Sequence, residues 1–339
     1  MRIITRTPPA DEPRDWRQIL ADSFRDINSL LRYLEIDTHP AARALLASDS
    51  FPLLVPRPFA QRMQRGNPDD PLLLQVLPQA SELETAPGFV ADPLAEKHSN
   101  IRSGIIHKYQ GRVLLLAATG CAVNCRYCFR RHFDYQNNRI GRKEWQEALD
   151  YVRSDISISE VILSGGDPLM LSDEALNELL MLIEDIPHIS RLRIHTRLPV
   201  VIPQRLTDTF IRNLNNSRLG TSVVLHINHP QELHDLHAAP LQALRSGGTW
   251  LLNQSVLLNG VNNEAGILRQ LSEALFSYGI SPYYLHMPDR VAGTHQFDVS
   301  EQDALRLYRD LRSVLPGYLV PQLVRERAGV PFKSVMADC

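Results

Sequence analysis

The residues best suited to chemistry lie in one short stretch, between Cys121 and His132. Three of the four cysteines in the chain, Cys121, Cys125 and Cys128, are spaced C-x3-C-x2-C in this loop. Thiolates this close together can converge on one metal centre. Structural zinc sites and electron-transfer clusters use four protein ligands. Three cysteines therefore predict a cluster of four irons in which one iron stays open to bind another molecule.

A zinc-binding loop is the alternative interpretation, with His132 or another histidine as the fourth ligand. The fourth cysteine, Cys339, is the last residue. The N-terminus lacks the apolar core of a secretory signal, and no apolar run approaches the roughly 18 residues of a membrane span. Clustered cysteines in such a chain favour a metal site in the reducing cytoplasm over disulfides.

The composition indicates a globular protein and disfavours some partners. The 339 residues are 44% hydrophobic and 22% charged, and the formal net charge is −2. A chain of this length holds either two average domains or one large barrel-type domain with an appendage. With no basic surplus, binding to nucleic acid or to a membrane through bulk charge is not expected.

Lysine is scarce, so few residues could serve chemistry that depends on a lysine. Pyridoxal phosphate (PLP) is such a cofactor, because it forms a Schiff base with a lysine amine. The lysines among the 36 basic residues are Lys97, Lys108, Lys143 and Lys333. We expect Lys97 and Lys143 to be solvated, and Lys108 precedes the first predicted strand of the barrel. Lys333 follows an apolar segment, 318–324, and from pattern alone an exposed tail lysine is the simpler interpretation.

Repeated strand and helix patterns from residue 112 onward predict the elements that position these side chains. Short apolar, β-branched runs alternate with amphipathic helical patterns, and after the first they recur about every 30 residues. Such alternation is typical of βαβ units with a parallel sheet. Six units predict a partial barrel or an open wound sheet, since a full barrel of eight needs more chain. The strand-like runs are 113–117, 161–163, 192–194, 222–227, 250–252 and 283–285.

The helical patterns lie between the strands, and serines mark two of their starts. Ser172 and Ser300 precede acidic residues and are predicted N-caps. Residues 1–100 are rich in proline and short amphipathic segments, and we predict a mainly helical cap there. The barrel is then expected to span 101–315, followed by a C-terminal segment, 316–339. The helical patterns are 15–20 and 27–34 in the cap, and 145–152, 173–183, 204–214, 232–244, 264–278 and 301–315 in the barrel.

Polar residues follow the strands at the same place in each unit. The carboxyl ends of parallel strands open onto one face, and in α/β folds that face carries the site. The cysteine loop follows the first strand, and a polar cluster follows each of the other five. The sequence therefore predicts one shared site at this face. The polar clusters are 164–167, 195–197, 226–229, 253–255 and 286–289.

The cysteine spacing, placed after the first strand of a βα series, resembles the radical S-adenosylmethionine (SAM) superfamily. Tyr127 precedes the third cysteine, where that superfamily commonly has an aromatic residue, and Ser164-Gly165-Gly166-Asp167 resembles its glycine-rich segment. The resemblance implies an α/β fold, a partial (β/α)6 TIM-like barrel of the radical SAM type with an N-terminal helical extension. It also implies a 4Fe–4S cluster whose open iron binds SAM, from which a 5′-deoxyadenosyl radical is generated.

A longer part of the chain, from about residue 59 to the end, resembles the lysine 2,3-aminomutase family. The loop CAVNCRYCFRRH and the end of the chain shortly after Lys333 are similar to the bacterial branch that serves modification of elongation factor P. The resemblance implies conversion of L-α-lysine to (R)-β-lysine and a functional link to elongation factor P and its lysyl ligase, and a homo-oligomer is compatible with it. The shared runs, in order, are 70–72, 92–94, 107–109, 112–116, 164–169, 226–230 and 252–258.

Residue by residue, the resemblance also implies the cofactor contacts. The cysteines of the loop hold the cluster, and Lys333 binds PLP covalently. Arg112 matches the residue that contacts the PLP phosphate, with Tyr109 near it, and Gln254 matches a glutamine of the cofactor site. The residues implied for SAM are Ser164, Gly165, Gly166, Asp167 and His226.

Three further residues are implied for the substrate. Arg130 matches the residue that binds the lysine carboxylate, for which a guanidinium fork is well suited. Asp289 matches a carboxylate that pairs with the distant ammonium and rejects neutral or acidic side chains. An ungapped count places Glu326 where the family has a second aspartate, so the chain departs from the family there. Two alternatives stay open: an aminomutase for another amino acid, and a non-catalytic iron–sulfur or zinc-binding protein.

Overall fold

One open, ten-stranded sheet organises the described part of the chain, and its strands follow one another in chain order. The computed structural model describes residues 15–37, 51–94, 100–102, 104–133 and 141–336. The strands are β1 (Asn100–Arg102), β2 (Ile105–Tyr109), β3 (Arg112–Ala118), β4 (Glu160–Gly165), β5 (Arg191–Thr196), β6 (Gly220–Leu225), β7 (Trp250–Val256), β8 (Ser281–His286), β9 (Gln322–Arg325) and β10 (Ser334–Val335). The strands from β3 to β9 run parallel, whereas β1–β2, β2–β3 and β9–β10 pair antiparallel.

Helices connect the parallel strands, as the alternating pattern predicts. The predicted partial barrel of strand–helix units, from β3 to β8, is confirmed, and β9 adds a further parallel strand that the pattern did not show. The helices are α1 (Trp16–Ala21), α2 (Ile27–Tyr33), α3 (Arg57–Ala60), α4 (Pro71–Leu74), α5 (Arg142–Ser154), α6 (Asp173–Glu184), α7 (Leu198–Val201), α8 (Asp208–Asn215), α9 (Ala238–Ser246), α10 (Ala265–Ser277) and α11 (Glu301–Val314).

Local signals account for where several helices begin. Ser172 and Ser300 are confirmed as N-caps: Ser172 Oγ accepts a hydrogen bond from Ala175 N at 3.2 Å, and Ser300 caps α11 in the same way. Two helices begin later than predicted. Thr207 caps α8. Short 3₁₀ turns occupy the predicted starts of both helices: Pro203–Arg205 before α8, and Pro230–Glu232 and Asp235–His237 before α9. Two of these turns begin at a proline, which suits a first turn.

The N-terminal extension packs against the barrel, and its predicted helices at 15–20 and 27–34 correspond to α1 and α2. The guanidinium of Arg205 lies 4.9 Å from the centroid of the Trp16 ring. Buried side chains of the extension and of the strands form one hydrophobic core. Residues 1–14, 38–50 and 95–99, including Lys97, lie outside the described residues. The predicted division at about residues 100 and 315 remains a prediction.

The C-terminal segment joins the sheet through β9 and β10. These strands form a hairpin whose loop contains Gly329 at φ +76°, a backbone conformation that suits glycine. The pairing of Ser334 with Arg325 places Lys333 beside Glu326. Cys339 lies outside the described residues. In the part of the chain that the structure describes, no helix has the length and apolar character needed to cross a membrane.

Candidate active site

The cysteine loop follows β3 directly and is tied to the N-terminal extension by backbone hydrogen bonds. Arg126 N donates to the carbonyl of Gln75 at 2.8 Å, and Asn124 N donates to that of Leu54 at 3.2 Å. The extension therefore fixes the course of the loop that carries the three cysteines.

Burial and the neighbouring cysteines both raise the pKa values of Cys121 and Cys128. Burial raises the pKa of Cys121 well above its ordinary value, and the nearby sulfur of Cys128 adds to the shift. Burial also raises the pKa of Cys128 to about 11, with Cys125 as the second cause. A thiolate at one of these positions thus disfavours ionisation of the others, and bound iron would relieve that repulsion. Thiolates are the ligands of iron–sulfur clusters, so the donor set fits a cluster.

The alternative interpretation, a zinc site, used His132 or another histidine as its fourth ligand. In the structure the His132 side chain lies against a backbone carbonyl. His132 Nε2 lies 3.0 Å from the oxygen of Ala292. Among the described residues, no three or more His, Cys, Asp or Glu side chains form a group that could hold a metal ion. Ligands of a single zinc ion must converge on one point, whereas cysteines that hold a four-iron cluster each bind a different iron.

Two arginines of the loop form a buried ion-pair network with Glu82 of the extension. Arg126 Nε donates to Glu82 Oε1 at 2.8 Å, and Arg131 Nη2 donates to Glu82 Oε2 at 2.8 Å. Arg131 Nη1 also donates to the carbonyl of Gly293 at 2.7 Å. Removing one partner of a buried pair costs about 3–5 kcal/mol. Sequence reasoning missed Glu82, because 44 residues separate it from Arg126.

The glycine-rich segment at the end of β4 lies directly against the cysteine loop. A Cβ on Gly166 would lie 2.3 Å from Gly120 O, and a Cβ on Gly165, whose φ is +116°, would lie 2.6 Å from Ala118 O. Glycine is therefore required for contact between the two loops, a reason distinct from the predicted approach of the backbone to SAM. A role for these glycines in binding SAM stays a prediction.

Asp167, at the end of this segment, is a buried carboxylate that accepts four hydrogen bonds. The donors are Thr196 Oγ1 at 2.7 Å and the backbone nitrogens of Arg197 at 2.7 Å, Leu198 at 2.8 Å and Leu169 at 3.0 Å. Burial raises the pKa of Asp167, and these hydrogen bonds oppose the shift. The carboxylate ties the loop after β4 to the loop after β5, and its predicted contact with SAM stays a prediction.

Arg130 lies between the cysteine loop and the glycine-rich segment. Its Nη1 is 3.3 Å from Ser164 Oγ and 3.4 Å from Gly165 O, and its guanidinium lies 4.7 Å from the centroid of the Phe129 ring. Its positive charge also acts on Cys121, whose pKa it lowers against the effect of burial. The structure thus brings together the residues predicted for the substrate carboxylate, for SAM and for the cluster.

Lys333 and Tyr109, both predicted for PLP, share Glu326 as a partner, and Arg112 lies beside Tyr109. Glu326 accepts hydrogen bonds from Lys333 Nζ and, at 3.1 Å, from Lys108 Nζ. Burial alone would raise the pKa of Glu326, but the two lysines lower it to about 2. Tyr109 hydrogen-bonds to Glu326, and Arg112 lies 4.7 Å from the centroid of the Tyr109 ring. A lysine with cationic side chains beside it fits a phosphate-bearing cofactor.

Two histidines, His195 and His286, lie near Lys333. Burial lowers the pKa of His195 well below its ordinary value, and the charges of Arg193, Lys333 and Arg130 lower it further. His195 Nε2 is buried and has no hydrogen-bond partner among the described residues. Burial, followed by the charge of Lys333, lowers the pKa of His286 to about 3. Both imidazoles are therefore neutral at neutral pH.

His226, predicted to lie at the SAM site, packs against the aromatic residue of the cysteine motif. Its Nε2 is 2.8 Å from Tyr127 Oη, and the two rings stack with centroids 5.7 Å apart. Asn228 Nδ2 donates to the same oxygen at 2.7 Å. The end of β6 thus fixes the ring that precedes Cys128.

Asp289 and Gln254, predicted for the substrate and for PLP, are half-buried at the ends of neighbouring strands. The loop that carries Asp289 is held by the extension, since Val90 N donates to the carbonyl of Arg290 at 3.0 Å. Gln254 is in register with Tyr284 of β8. Both lie at the predicted face, and their roles stay predictions.

Two buried polar residues near the cysteine loop were not predicted. Gln75 Nε2 donates to Glu232 Oε1 at 3.2 Å, and both side chains are fully buried. Gln75 follows the short apolar helix α4, and Glu232 ends a 3₁₀ turn that begins at Pro230. Neither position belongs to a sequence pattern that indicates chemistry. A third, Arg197, belongs to a predicted polar cluster but had no assigned role.

Comparisons with known proteins agree with this site. The family model of the radical SAM superfamily matches residues 115–249. An L-lysine 2,3-aminomutase from Haemophilus influenzae is 49% identical over 338 residues, which cover 100% of this chain and 100% of that protein. One from Escherichia coli is 49% identical over 336 residues, 98% of this chain and 96% of that protein. A glutamate 2,3-aminomutase from Clostridioides difficile is 33% identical over 256 residues, 75% of this chain and 60% of that protein.

Proposed function

The chain belongs to the lysine 2,3-aminomutase family of radical SAM enzymes, and we propose that it converts L-α-lysine to (R)-β-lysine. The observation that carries the proposal is the identity of 49% over the whole length of a relative named for this activity. The reaction is an isomerisation, since the amino group moves from carbon 2 to carbon 3 of the same molecule.

The described residues fit the cofactors of this family. When bound, the 4Fe–4S cluster, SAM and PLP supply the radical and its stabilisation. Cys121, Cys125 and Cys128 would hold the cluster. Lys333 would hold PLP covalently, and Arg112 would hold its phosphate, with Tyr109 and Gln254 nearby. Ser164 to Asp167 and His226 would bind SAM.

The remaining work of the protein is to bind and orient the substrate. Arg130, beside Ser164 and the cysteine loop, would bind the substrate carboxylate. Asp289, at the end of β8, would pair with the distant ammonium of lysine. Holding both ends of one molecule fixes the reacting carbon against the cofactors, and exclusion of water protects the reaction. Glu326 is engaged by two lysines of the chain, so we place it in the PLP site as well as near the substrate.

We also propose a link to elongation factor P and its lysyl ligase, as consumers of the β-lysine. Similarity of the loop between Cys121 and His132 to that branch of the family supports this link. We place the reaction in the cytoplasm, because a reducing compartment keeps the clustered cysteines as thiols. A homo-oligomer is compatible with this proposal.

A direct assay tests the proposed function. The protein is reconstituted anaerobically with iron and sulfide, then incubated with L-lysine, SAM, PLP and a reductant. We expect about four irons per chain and β-lysine detected by chromatography. A single zinc ion per chain, or a loaded cluster without β-lysine, would refute the proposal.

Glutamate is the second candidate substrate, because a glutamate 2,3-aminomutase is among the relatives. Asp289 would repel the distal carboxylate of glutamate. We expect Asp289→Asn to lower kcat/KM for lysine about 10- to 100-fold, because the variant loses one hydrogen bond between charged groups. Unchanged lysine turnover in this variant, or turnover of glutamate by the wild type, would overturn the substrate assignment.

A further inference from the structure

One guanidinium connects a cysteine of the loop with a buried carboxylate and a buried amide. Arg197 Nη1 donates to Cys125 Sγ at 2.7 Å. Arg197 Nη2 donates to Gln75 Oε1 at 2.8 Å and to Glu232 Oε2 at 3.1 Å. The same Nη1 also donates to Tyr127 Oη. We propose that Arg197 is a positioning residue that stabilises the reduced cluster through its hydrogen bond to Cys125, and that Gln75 and Glu232 orient it.

Contacts of both the backbone and the side chain set the position of Arg197. Its backbone nitrogen donates to Asp167 Oδ2 at 2.7 Å, which fixes the main chain at the end of β5. Its side chain is only 7% exposed, and Gln75 and Glu232 are fully buried, so water does not compete for these hydrogen bonds. Asn228 Nδ2 donates to Gln75 Oε1 at 3.0 Å and holds the amide in place. The guanidinium is therefore preorganised towards the sulfur.

The contact with sulfur has a predictable electrostatic effect. A cluster gains one negative charge when one electron enters it, and no bond breaks in that step. A cationic donor beside a ligating sulfur stabilises the more negative state, because hydrogen bonds to cluster sulfurs raise the reduction potential. Outer contacts of this kind also orient the ligand itself. Arg197 thus favours acceptance of the electron on which the radical chemistry depends.

The N-terminal extension takes part in this arrangement through Gln75, which follows α4. Phe59, another residue of the extension, packs on the same guanidinium, with its ring centroid 5.6 Å from Arg197 Cζ. The extension therefore acts on the cluster through an amide oxygen and an aromatic ring, in addition to its backbone hydrogen bonds to the cysteine loop.

A potentiometric titration tests the proposal without substrate. Wild type, Arg197→Met, Arg197→Lys and Gln75→Leu are reconstituted anaerobically with iron and sulfide, and the reduced cluster is followed by EPR during titration with dithionite. We expect a lower midpoint potential in Arg197→Met, by at least 59 mV, which is a tenfold change in the ratio of reduced to oxidised cluster for a one-electron couple. Arg197→Lys and Gln75→Leu should shift the potential in the same direction by less.

Arg205 provides the matched control, since it is a buried arginine whose hydrogen bonds go to the first residue of α6 and to the segment before it. It donates to Asp173 Oδ1 at 2.8 Å and to Leu171 O at 3.0 Å. Arg205→Lys should destabilise the fold and leave the potential unchanged. A wild-type potential in Arg197→Met with full iron content would overturn the proposal. If that variant does not fold, wild-type potentials in both Arg197→Lys and Gln75→Leu would overturn it.

This inference rests on the cluster of the proposed function and not on its substrate. Failure of the wild type to assemble a four-iron cluster would refute the proposed function itself. A normal cluster in the wild type, with no shift in the variants, would refute only the role of Arg197.

Discussion

At the scale of single residues, Glu326 pairs with both lysines that could serve PLP. Lys333 and Lys108 both donate to this carboxylate, so two amines lie close to one another. Lys333 comes from a hairpin loop, whereas Lys108 belongs to β2. A loop lysine can move towards a cofactor more freely than a strand lysine. The geometry therefore favours Lys333 as the covalent ligand and Lys108 as the permanent partner of Glu326.

Replacement of each lysine separates these roles. We expect Lys333→Ala to lose the visible absorbance band of bound PLP entirely, because no amine is left to form the covalent bond. Lys108→Ala should keep the band, since Lys333 remains. Absorbance spectra of the two purified variants after addition of PLP provide the measurement. A band that persists in Lys333→Ala and vanishes in Lys108→Ala would move the assignment to Lys108.

At the scale of elements, contact between the ends of β3 and β4 joins the cysteine loop to the glycine-rich segment. The backbone of Gly120 occupies the space that a side chain at position 166 would need. Asp167 then ties the same segment to the end of β5. The cluster ligands and the proposed SAM site are thus held by backbone packing, so small changes in one loop reach the other.

A methyl group at position 166 tests this packing. We expect Gly166→Ala to lower the free energy of unfolding by at least about 1–3 kcal/mol, as overpacking does, and to reduce iron content after reconstitution. Gly266→Ala is the control, because a Cβ at that helical position meets nothing within 4 Å. It should stabilise the protein by up to about 1 kcal/mol. Urea denaturation and iron analysis measure both effects, and full iron content in Gly166→Ala would contradict the expectation.

At the scale of the whole molecule, buried histidines make stability depend on pH. Burial lowers the pKa of His195, His226 and His286, and it lowers the pKa of His237 to about 4. These groups stay neutral in the folded chain, whereas the unfolded chain binds protons below the ordinary value of 6.5. Their contribution to stability is therefore complete above pH 6.5 and is lost as the pH falls towards the folded values.

His237 offers a test away from the proposed active site. Its Nε2 lies 3.2 Å from the carbonyl of Pro199, and the charge of Arg62 also lowers its pKa. Between pH 6.5 and 4.5 we expect the free energy of unfolding to fall with pH, and His237→Gln to reduce the slope by up to about 1.4 kcal/mol per pH unit. Urea denaturation at several pH values measures the slope. Equal slopes in both proteins would contradict the expectation.

The features of this protein that depend on residues close together along the chain could be predicted from the sequence. The period of apolar residues encodes strands and helices because alternate side chains share one sheet face and every third or fourth shares one helix face. The cysteine spacing indicated the cluster for the same reason, since the three ligands lie within one loop. The N-caps at Ser172 and Ser300 also depend only on adjacent residues. These features involve atoms that are close along the chain.

Only the tertiary structure decided how distant residues meet. Arg197 donates to a cysteine 72 positions away and to an amide 122 positions away. The hairpin of β9 and β10 brought Lys333 to Glu326 and to Lys108, where the sequence pattern favoured an exposed tail. Hydrogen bonds between such residues leave no periodic pattern in the sequence. They form because the parallel sheet brings the ends of its strands to one face, where buried polar groups must find partners.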